Sequence, residues 1–431
     1  MIIITDNKSS RFEYISHFLL EDVLGFVLQD QSPMPGEAII AYTVDKPSFP
    51  AIHIVPYGLL TETGIREQQL LMDRWEEMPC FFNTEGDIPF DIFSAAFFLV
   101  SRYEEYLDHE KDAYGRYSHR GSLAFLEGFL DLPIVELWAQ KLREMIRWTF
   151  PNEKLGFRKF RYLPTYDIDH AWCYLRKGLL RTVGQLVMDI ATANFKRFQQ
   201  RFRVLRGLEK DPYDIYEWLD ALHLKYGLKP YYFFPLAKKV QGYDRNISPY
   251  DKKLRDLMAY HASGYRTGVH PSWQSGDNIK VLREEFVLFS TITGSEPEYS
   301  RFHFLRFNLP EDYRKLLDHG ITEEHSMGYG TINGFRASVS TPFKWYDLAA
   351  EKLTNLLVYP YCWMDANSYY EQNYKPSQAY DELKHYHDVV EKVRGTLVTI
   401  SHNNFLSTES NFAGWKEVYE IFLNDVVYWD L

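Results

Sequence analysis

Cysteine is scarce. The 431-residue chain has three, Cys80, Cys173 and Cys362, far apart in sequence. Their separation speaks against a zinc knuckle or a disulfide framework, and the odd number fits a reducing compartment. Long apolar runs are missing too. The stretch "FSAAFFLVS" falls well short of the roughly 20 residues a membrane-spanning helix needs. The start, "MIIITDNKSSRFEY", has no basic segment, long apolar segment or small-residue cleavage site. The expectation is a cytoplasmic protein with no membrane partner. Positive charge is in deficit, with 48 Lys and Arg against 59 Asp and Glu for a formal net charge of -11. That argues against nucleic acid and anionic membrane surfaces as partners. Two local basic runs, "KFRYLP" and "KRFQQRFRVLRGLEK", are short and mixed with apolar residues, and the second reads as a solvated helix face. No Gly-rich phosphate or dinucleotide loop follows a strand, and no G-x-S-x-G occurs, so nucleotide-binding and serine-hydrolase readings are disfavoured. There is no internal repeat and no low-complexity segment.

What the chain has in excess is rings: 32 Tyr, 30 Phe and 10 Trp, 17% of all residues. Either the core is rich in them, or some serve a carbohydrate or aromatic ligand by stacking and hydrogen bonding. The length exceeds one typical domain. To about residue 150, short strand-like runs ("MIIIT", "EAIIAYTV", "AIHIVPY") mix with the helical periodicity of "FDIFSAAFFLVSRYEEYLDHE" and "IVELWAQKLREMIRWTF". "PNEKLGF", residues 151–157, marks a boundary between domains 1–150 and 151–431. Beyond it the rhythm is strand, turn, helix. Strand-like runs are "RYLPTYDID", "KPYYFFPLA", "GYRTGVHPS", "YSRFHFLRF", "HSMGYGT" with "GFRASV", "LLVYPYCWMD" and "GTLVTISHNN". The helix candidates "NIKVLREEFVLFSTITG", "PEDYRKLLDHG" and "SQAYDELKHYHDVVEKVRG" each end in Gly. The fold class predicted is α/β: parallel βαβ units closing into a barrel-like fold of about seven strands, behind a smaller α/β N-terminal domain. An open doubly wound sheet is the alternative.

In a βα barrel, reactive groups gather at the strand C-terminal ends, where the unusual polar residues of this chain fall. Asp167 and Asp169 end the first strand and point to one side, since side chains alternate. They are either solvated strand-end carboxylates or a divided pair, one ligating a divalent metal and the other taking a proton from water. His270 in "GVHPSWQS" is the natural nitrogen ligand. On "SRFHFLRF", Arg301 and His303 share a strand face, and Arg301 can hold a carboxylate bidentately. His402, after "TLVTI", suits general acid work, and Asp365 on the preceding strand can orient its imidazole. Arg336 in "NGFRAS" either faces the pocket or makes a surface salt bridge.

The order T-Y-D-I-D, G-V-H-P-S, S-R-x-H, M-D and I-S-H resembles the polysaccharide deacetylases of the NodB-homology group, carbohydrate esterase family four. "FDIFSAAFFLVSRYEEYL", "SRFHFLRFNLPEDYRKLLDHGI", "SMGYGTINGFRASVSTPFKWYDL" and "ISHNNF" are similar to a branch common in Bacteroidetes that carries an N-terminal domain of unknown function. The resemblance spans nearly the whole chain. It implies a distorted (β/α)7-type barrel with a divalent metal, often zinc, that activates water to remove an N- or O-acetyl group from a sugar. Carried over, Asp167 is the base, Asp169 and His270 are metal ligands, Arg301 holds the base, Asp365 orients and His402 is the acid. The chain departs from the usual H-S/T-x-x-H motif, because Gln274 stands where the second metal histidine belongs. His303 can replace it, with His170 and Glu285 as weaker candidates. Trp273, Tyr361 and Trp363 either stack on a sugar ring or belong to the core. The expected partner is a carbohydrate or another acetylated small molecule. Two other readings are an inactive barrel that binds a glycan or protein, and a hydrolase of non-sugar amides.

Overall fold

The computed structural model describes residues 1–29, 37–153, 156 and 158–427; the boundary stretch 151–157 thus lies partly outside the described residues. The strands are β1 (Ile2–Thr5), β2 (Ile39–Tyr42), β3 (Ile52–Ile54), β4 (Asp73–Trp75), β5 (Met78–Cys80), β6 (Arg161–Asp167) and β7 (Tyr231–Pro235). They continue with β8 (Arg266–His270), β9 (Tyr299–Ser300), β10 (Glu323–Glu324), β11 (Phe343–Asp347), β12 (Lys352–Val358), β13 (Trp363–Met364) and β14 (Thr396–His402). The architecture is mixed α/β, and the chain divides into two compact units. One comprises Met1–Tyr162, Leu305–Trp363 and His385–Val398; the other comprises Leu163–Phe304, Met364–Lys384 and Thr399–Leu431.

In the first unit, β1, β2 and β3 form a parallel sheet of isoleucine-rich strands. The helix Ile92–Val100, "IFSAAFFLV", is buried along its whole length, as a helix apolar all round must be. Asp91 caps it, accepting from Ser94 N at 3.0 Å, and its second oxygen accepts from Tyr42 OH at 2.7 Å and Tyr57 N at 2.8 Å. The amphipathic helix Ile134–Thr149 buries one stripe, including Trp138, Leu142 and Ile146. β10 pairs parallel and β11 antiparallel with β12. "HSMGYGT" and "GFRASV", expected as strands, are bends and turns instead. Two glycines there explain why: a Cβ on Gly328 would meet the Tyr361 ring at 2.2 Å, and Gly334, at φ +145°, lies 2.8 Å from Leu130 O in the same sense.

In the second unit, β6 to β9 pair parallel, with Asp167 opposite Phe233 and Pro235 opposite His270. Their β-branched and aromatic residues are buried on both faces, as parallel strands under crossover helices require. Gly268 lets β8 sit between neighbours, since a Cβ would lie 2.6 Å from Tyr299 O and 2.7 Å from the Phe233 ring. The order runs β9-β8-β7-β6-β14-β13. Strand orders throughout are linear, and no pairing among the described strands closes a barrel. "SRFHFLRF" is a strand only to Ser300; beyond it the chain turns through Phe304 at φ 58° and Leu305 at φ 54°. No helix among the described residues is long and apolar enough to cross a membrane.

Candidate metal and acid–base site

Parallel pairing aligns the C-terminal ends of the second unit's strands, and the polar residues that follow them converge there. Asp167 closes β6, His270 closes β8, Arg301 follows β9 and His402 closes β14. Asp167 is buried and accepts from Arg301 Nη1 at 2.7 Å, while the guanidinium lies 4.5 Å over the Phe233 ring. A buried carboxylate needs such a charge-assisted partner.

Asp169 stands at the centre of three histidines. Its Oδ1 is 3.4 Å from His270 Nε2, and its Oδ2 is 3.6 Å from His303 Nε2 and 3.7 Å from His402 Nε2. Each imidazole is oriented through its other nitrogen. His270 Nδ1 donates to Arg301 O at 2.5 Å, His303 Nδ1 contacts Asp244 Oδ1 at 3.0 Å, and His402 Nδ1 contacts Asp365 Oδ1 at 2.6 Å. Asp365 also accepts from His402 N at 2.7 Å, so both of its oxygens are used on one residue. Burial works against protonated imidazole, but Asp365 outweighs it and holds His402 protonated up to about 9.

The donor set suits a divalent metal. One oxygen or nitrogen each from Asp169, His270 and His303 lie within 4.8 Å of one another. Two imidazoles and a carboxylate are a familiar set for a catalytic ion. The Nδ1 partners of His270 and His303 fix the tautomers that present Nε2. Asp169 Oδ1 is buried and accepts no hydrogen bond among the described residues. Asp169 and Asp244, acting against burial, push His303 up to about 10. So much negative charge asks for a positive one, a proton on the imidazole or a metal ion. His387, Asp388 and Glu391 form another group of suitable spacing, on the helix Pro376–Lys392, with both acids exposed.

Residues 1–151 match a family described as a family of unknown function, DUF7033. No curated protein matches the chain. Among solved structures, the chain is similar to a candidate polysaccharide deacetylase from Mycobacterium smegmatis, at 12% identity and a TM-score of 0.39, over 63% of this chain and 84% of that one. A polysaccharide deacetylase from Bacillus cereus has 14% identity and a TM-score of 0.31, over 62% of this chain and 88% of that one. A 4-alpha-glucanotransferase from Thermococcus litoralis has 10% identity and a TM-score of 0.36, over 63% of this chain and 38% of that one.

The structure brings seven of the expected residues together: Asp167, Asp169, His270, Arg301, His303, Asp365 and His402. Trp273 lies beside them, half-buried, its ring 4.4 Å from Tyr243 and 5.8 Å from Phe304. Three others belong to the first unit and are committed there. The Arg336 guanidinium is buried against Glu105, and its Nη1 donates to Gly328 O at 3.1 Å. Tyr361 is buried and donates its hydroxyl to Tyr329 O at 2.7 Å, and Trp363 is buried as well. None of these three offers an open face for a sugar. His170 and Glu285 are not among the grouped donors; Glu285 accepts instead from Ser272 N at 3.0 Å.

Two residues were not anticipated in their roles. Asp244, in the irregular segment after β7, accepts from Trp273 N at 2.9 Å, Gln274 N at 3.2 Å and Gln274 Nε2 at 2.9 Å while holding His303. Gln274 therefore points its amide at this aspartate and at Lys239 O, 2.9 Å away. Asp244 lies nine residues past the end of β7, where no strand-end pattern in the sequence marks it.

Proposed function

We propose that the chain is a metal-dependent hydrolase that removes N- or O-acetyl groups from a carbohydrate, in keeping with its sequence resemblance to polysaccharide deacetylases. The observation that carries the reading is the convergence of three histidine Nε2 atoms on Asp169, flanked by the Asp167–Arg301 and Asp365–His402 pairs. Asp169, His270 and His303 would hold the ion, for which zinc is the expectation. When bound, it supplies Lewis acidity toward water and the acetyl carbonyl.

The chain's own groups divide the remaining work. Asp167, fixed by Arg301, accepts the proton of the attacking water. His402, charged and aligned by Asp365, gives a proton to the departing amine or alcohol. Trp273 provides a ring face beside His303 on which a sugar can stack. The test is hydrolysis of N- and O-acetylated oligosaccharides by the metal-loaded protein, its Asp169→Ala form and its His402→Ala form. Full activity in both variants would defeat these roles. Turnover of acetylated non-sugar amides alone would move the substrate class. Binding of glycans without turnover or stoichiometric metal would favour the inactive barrel.

A further inference from the structure

Two helices of the second unit turn their polarity inside out. In Leu179–Ala191, Asp189 is the buried residue, and Arg181 and Gln185, two turns and one turn before it, are half-buried on the same inward face. Leu180, Val183, Val187 and Ile190 line the opposite face and stand in solvent, Leu180 being 91% exposed and Val187 60%. In Phe195–Leu205, Phe195, Phe202 and Leu205 are likewise outward, Phe195 at 66%, while Arg201 and Val204 turn inward, Val204 packing with Cys173 and Tyr174. What joins the helices is polar. Buried Arg201 donates to Asp189 Oδ2 at 2.7 Å and to Gln185 Oε1 at 2.6 Å, and it lies 4.6 Å over the Tyr174 ring. A helix pair packed for water would place these residues the other way round. Seven large apolar side chains left in solvent on two neighbouring helices mark an interaction site.

Charge identifies the occupant. From Arg176 to Lys210 the sequence has nine Lys and Arg against two acids, Asp189 and Glu209, in a chain whose net charge is -11. Lys196, Arg197, Arg203 and Arg206 are exposed around the apolar face. A second copy docked on the same patch would set this basic rim against itself. We propose that the helix pair seats the protein on an anionic lipid surface, with its leucine, valine, isoleucine and phenylalanine side chains at the headgroup–acyl boundary and its basic rim on the phosphates. This goes beyond the catalytic reading, does not depend on it, and replaces the expectation of no anionic membrane partner, which rested on the net charge of the whole chain and not on the local basic excess of 176–210.

The mounting is firm. Asp211 accepts from Cys173 N at 2.7 Å, Tyr174 N at 2.9 Å and Leu175 N at 3.1 Å, which fixes the chain just before the helices. Changes on the outer face therefore leave the packed base intact. The experiment is co-sedimentation of the full chain with vesicles of phosphatidylglycerol and phosphatidylcholine, against vesicles of phosphatidylcholine alone. The expected result is pelleting with the anionic vesicles, weakened by salt, and its loss in Leu180→Glu/Val187→Glu with unchanged circular dichroism. Lys196→Glu/Arg203→Glu, which keeps the apolar face, should weaken the partition at least about tenfold. A wild-type protein that stays in the supernatant overturns the proposal, as does a Leu180→Glu/Val187→Glu protein that pellets like wild type. A wild-type dimer that Leu180→Glu/Val187→Glu turns into a monomer, without vesicle binding, also overturns it and assigns the face to a second copy.

Discussion

The first unit buries a carboxylate between two arginines; the second sets one among three histidines. Glu105 has a side chain 3% exposed, with both oxygens on Arg336 and one also 2.7 Å from Arg102 Nε. The Arg336 guanidinium lies 4.4 Å over Phe307 and 5.4 Å over Tyr329, so its faces are covered too. Asp169 is 22% exposed, and its Oδ1 accepts no hydrogen bond among the described residues. The histidines around it spend one nitrogen on a fixed partner and aim the other at a common point. A cluster whose bonding capacity is used up internally serves the fold. One that keeps capacity aimed at a reachable point can serve chemistry.

His402→Ala is the largest expected break in this contrast. Removing a general acid costs about 10²- to 10⁴-fold in turnover, while the urea midpoint should fall less than at a broken buried ion pair, because Asp365 keeps the backbone N–H groups of residues 402 and 366. An equal drop in stability would make the second cluster as structural as the first. Glu105→Ala should do the reverse. It leaves two buried guanidinium groups short of their counter-charge, which costs about 3–5 kcal/mol, read as a fall in the urea midpoint. A loss below about 1 kcal/mol would mean that the pair merely replaces an equally good apolar packing.

Acid titration sharpens the same point. Burial alone would raise Glu105, but Arg336 and Arg102 outweigh it and hold the carboxyl down at about 2, against an ordinary 4.5. A depressed folded value means the stabilisation is complete above pH 4.5 and drains away as pH falls from there toward 2. The whole effect is on the order of 3 kcal/mol. Urea midpoints between pH 5 and pH 2, compared with Glu105→Gln, measure it; parallel curves for the two proteins would remove Glu105 as the cause.

Much of this site was legible because it sits at strand ends. An aromatic-apolar run that stops at Asp167, His270 or His402 announces both the strand and the polar group it delivers. His303 was expected in the site from a strand face, yet it arrives on a turn past Ser300, where Phe304 takes a left-handed backbone that no alternation pattern reveals. Arg336, Tyr361 and Trp363 carry the right chemistry for a pocket. The burial of Arg336 depends on Glu105, 231 residues away, and that of Tyr361 on Tyr329, 32 residues away, and the return of 305–363 and 385–398 to the first unit is likewise a matter of distant contacts. The run "KRFQQRFRVLRGLEK" was legible as a solvated helix face, but its charge pattern did not reveal that Arg201 turns inward, onto Asp189, while Phe195 and Phe202 turn outward.

Second-layer residues provide the smaller tests. Asp244→Asn keeps the shape but removes the charge that orients His303, and should weaken metal retention about 10- to 100-fold. A chelator competition followed by elemental analysis reads this without any substrate. The smallest effect belongs to Gln274→Ala. Asp244 would still receive the backbone N–H groups of Trp273 and residue 274, at 2.9 and 3.2 Å, and still face His303. One lost amide donor among several should cost no more than about tenfold in retention, since a net hydrogen bond to a charged group is worth about 1.5 kcal/mol at the low end. If Gln274→Ala instead costs as much as His270→Ala, the glutamine oxygen belongs with the ligands. The second cluster would then have turned its amide inward on loading, and the distance between structural and chemical use of that residue would close.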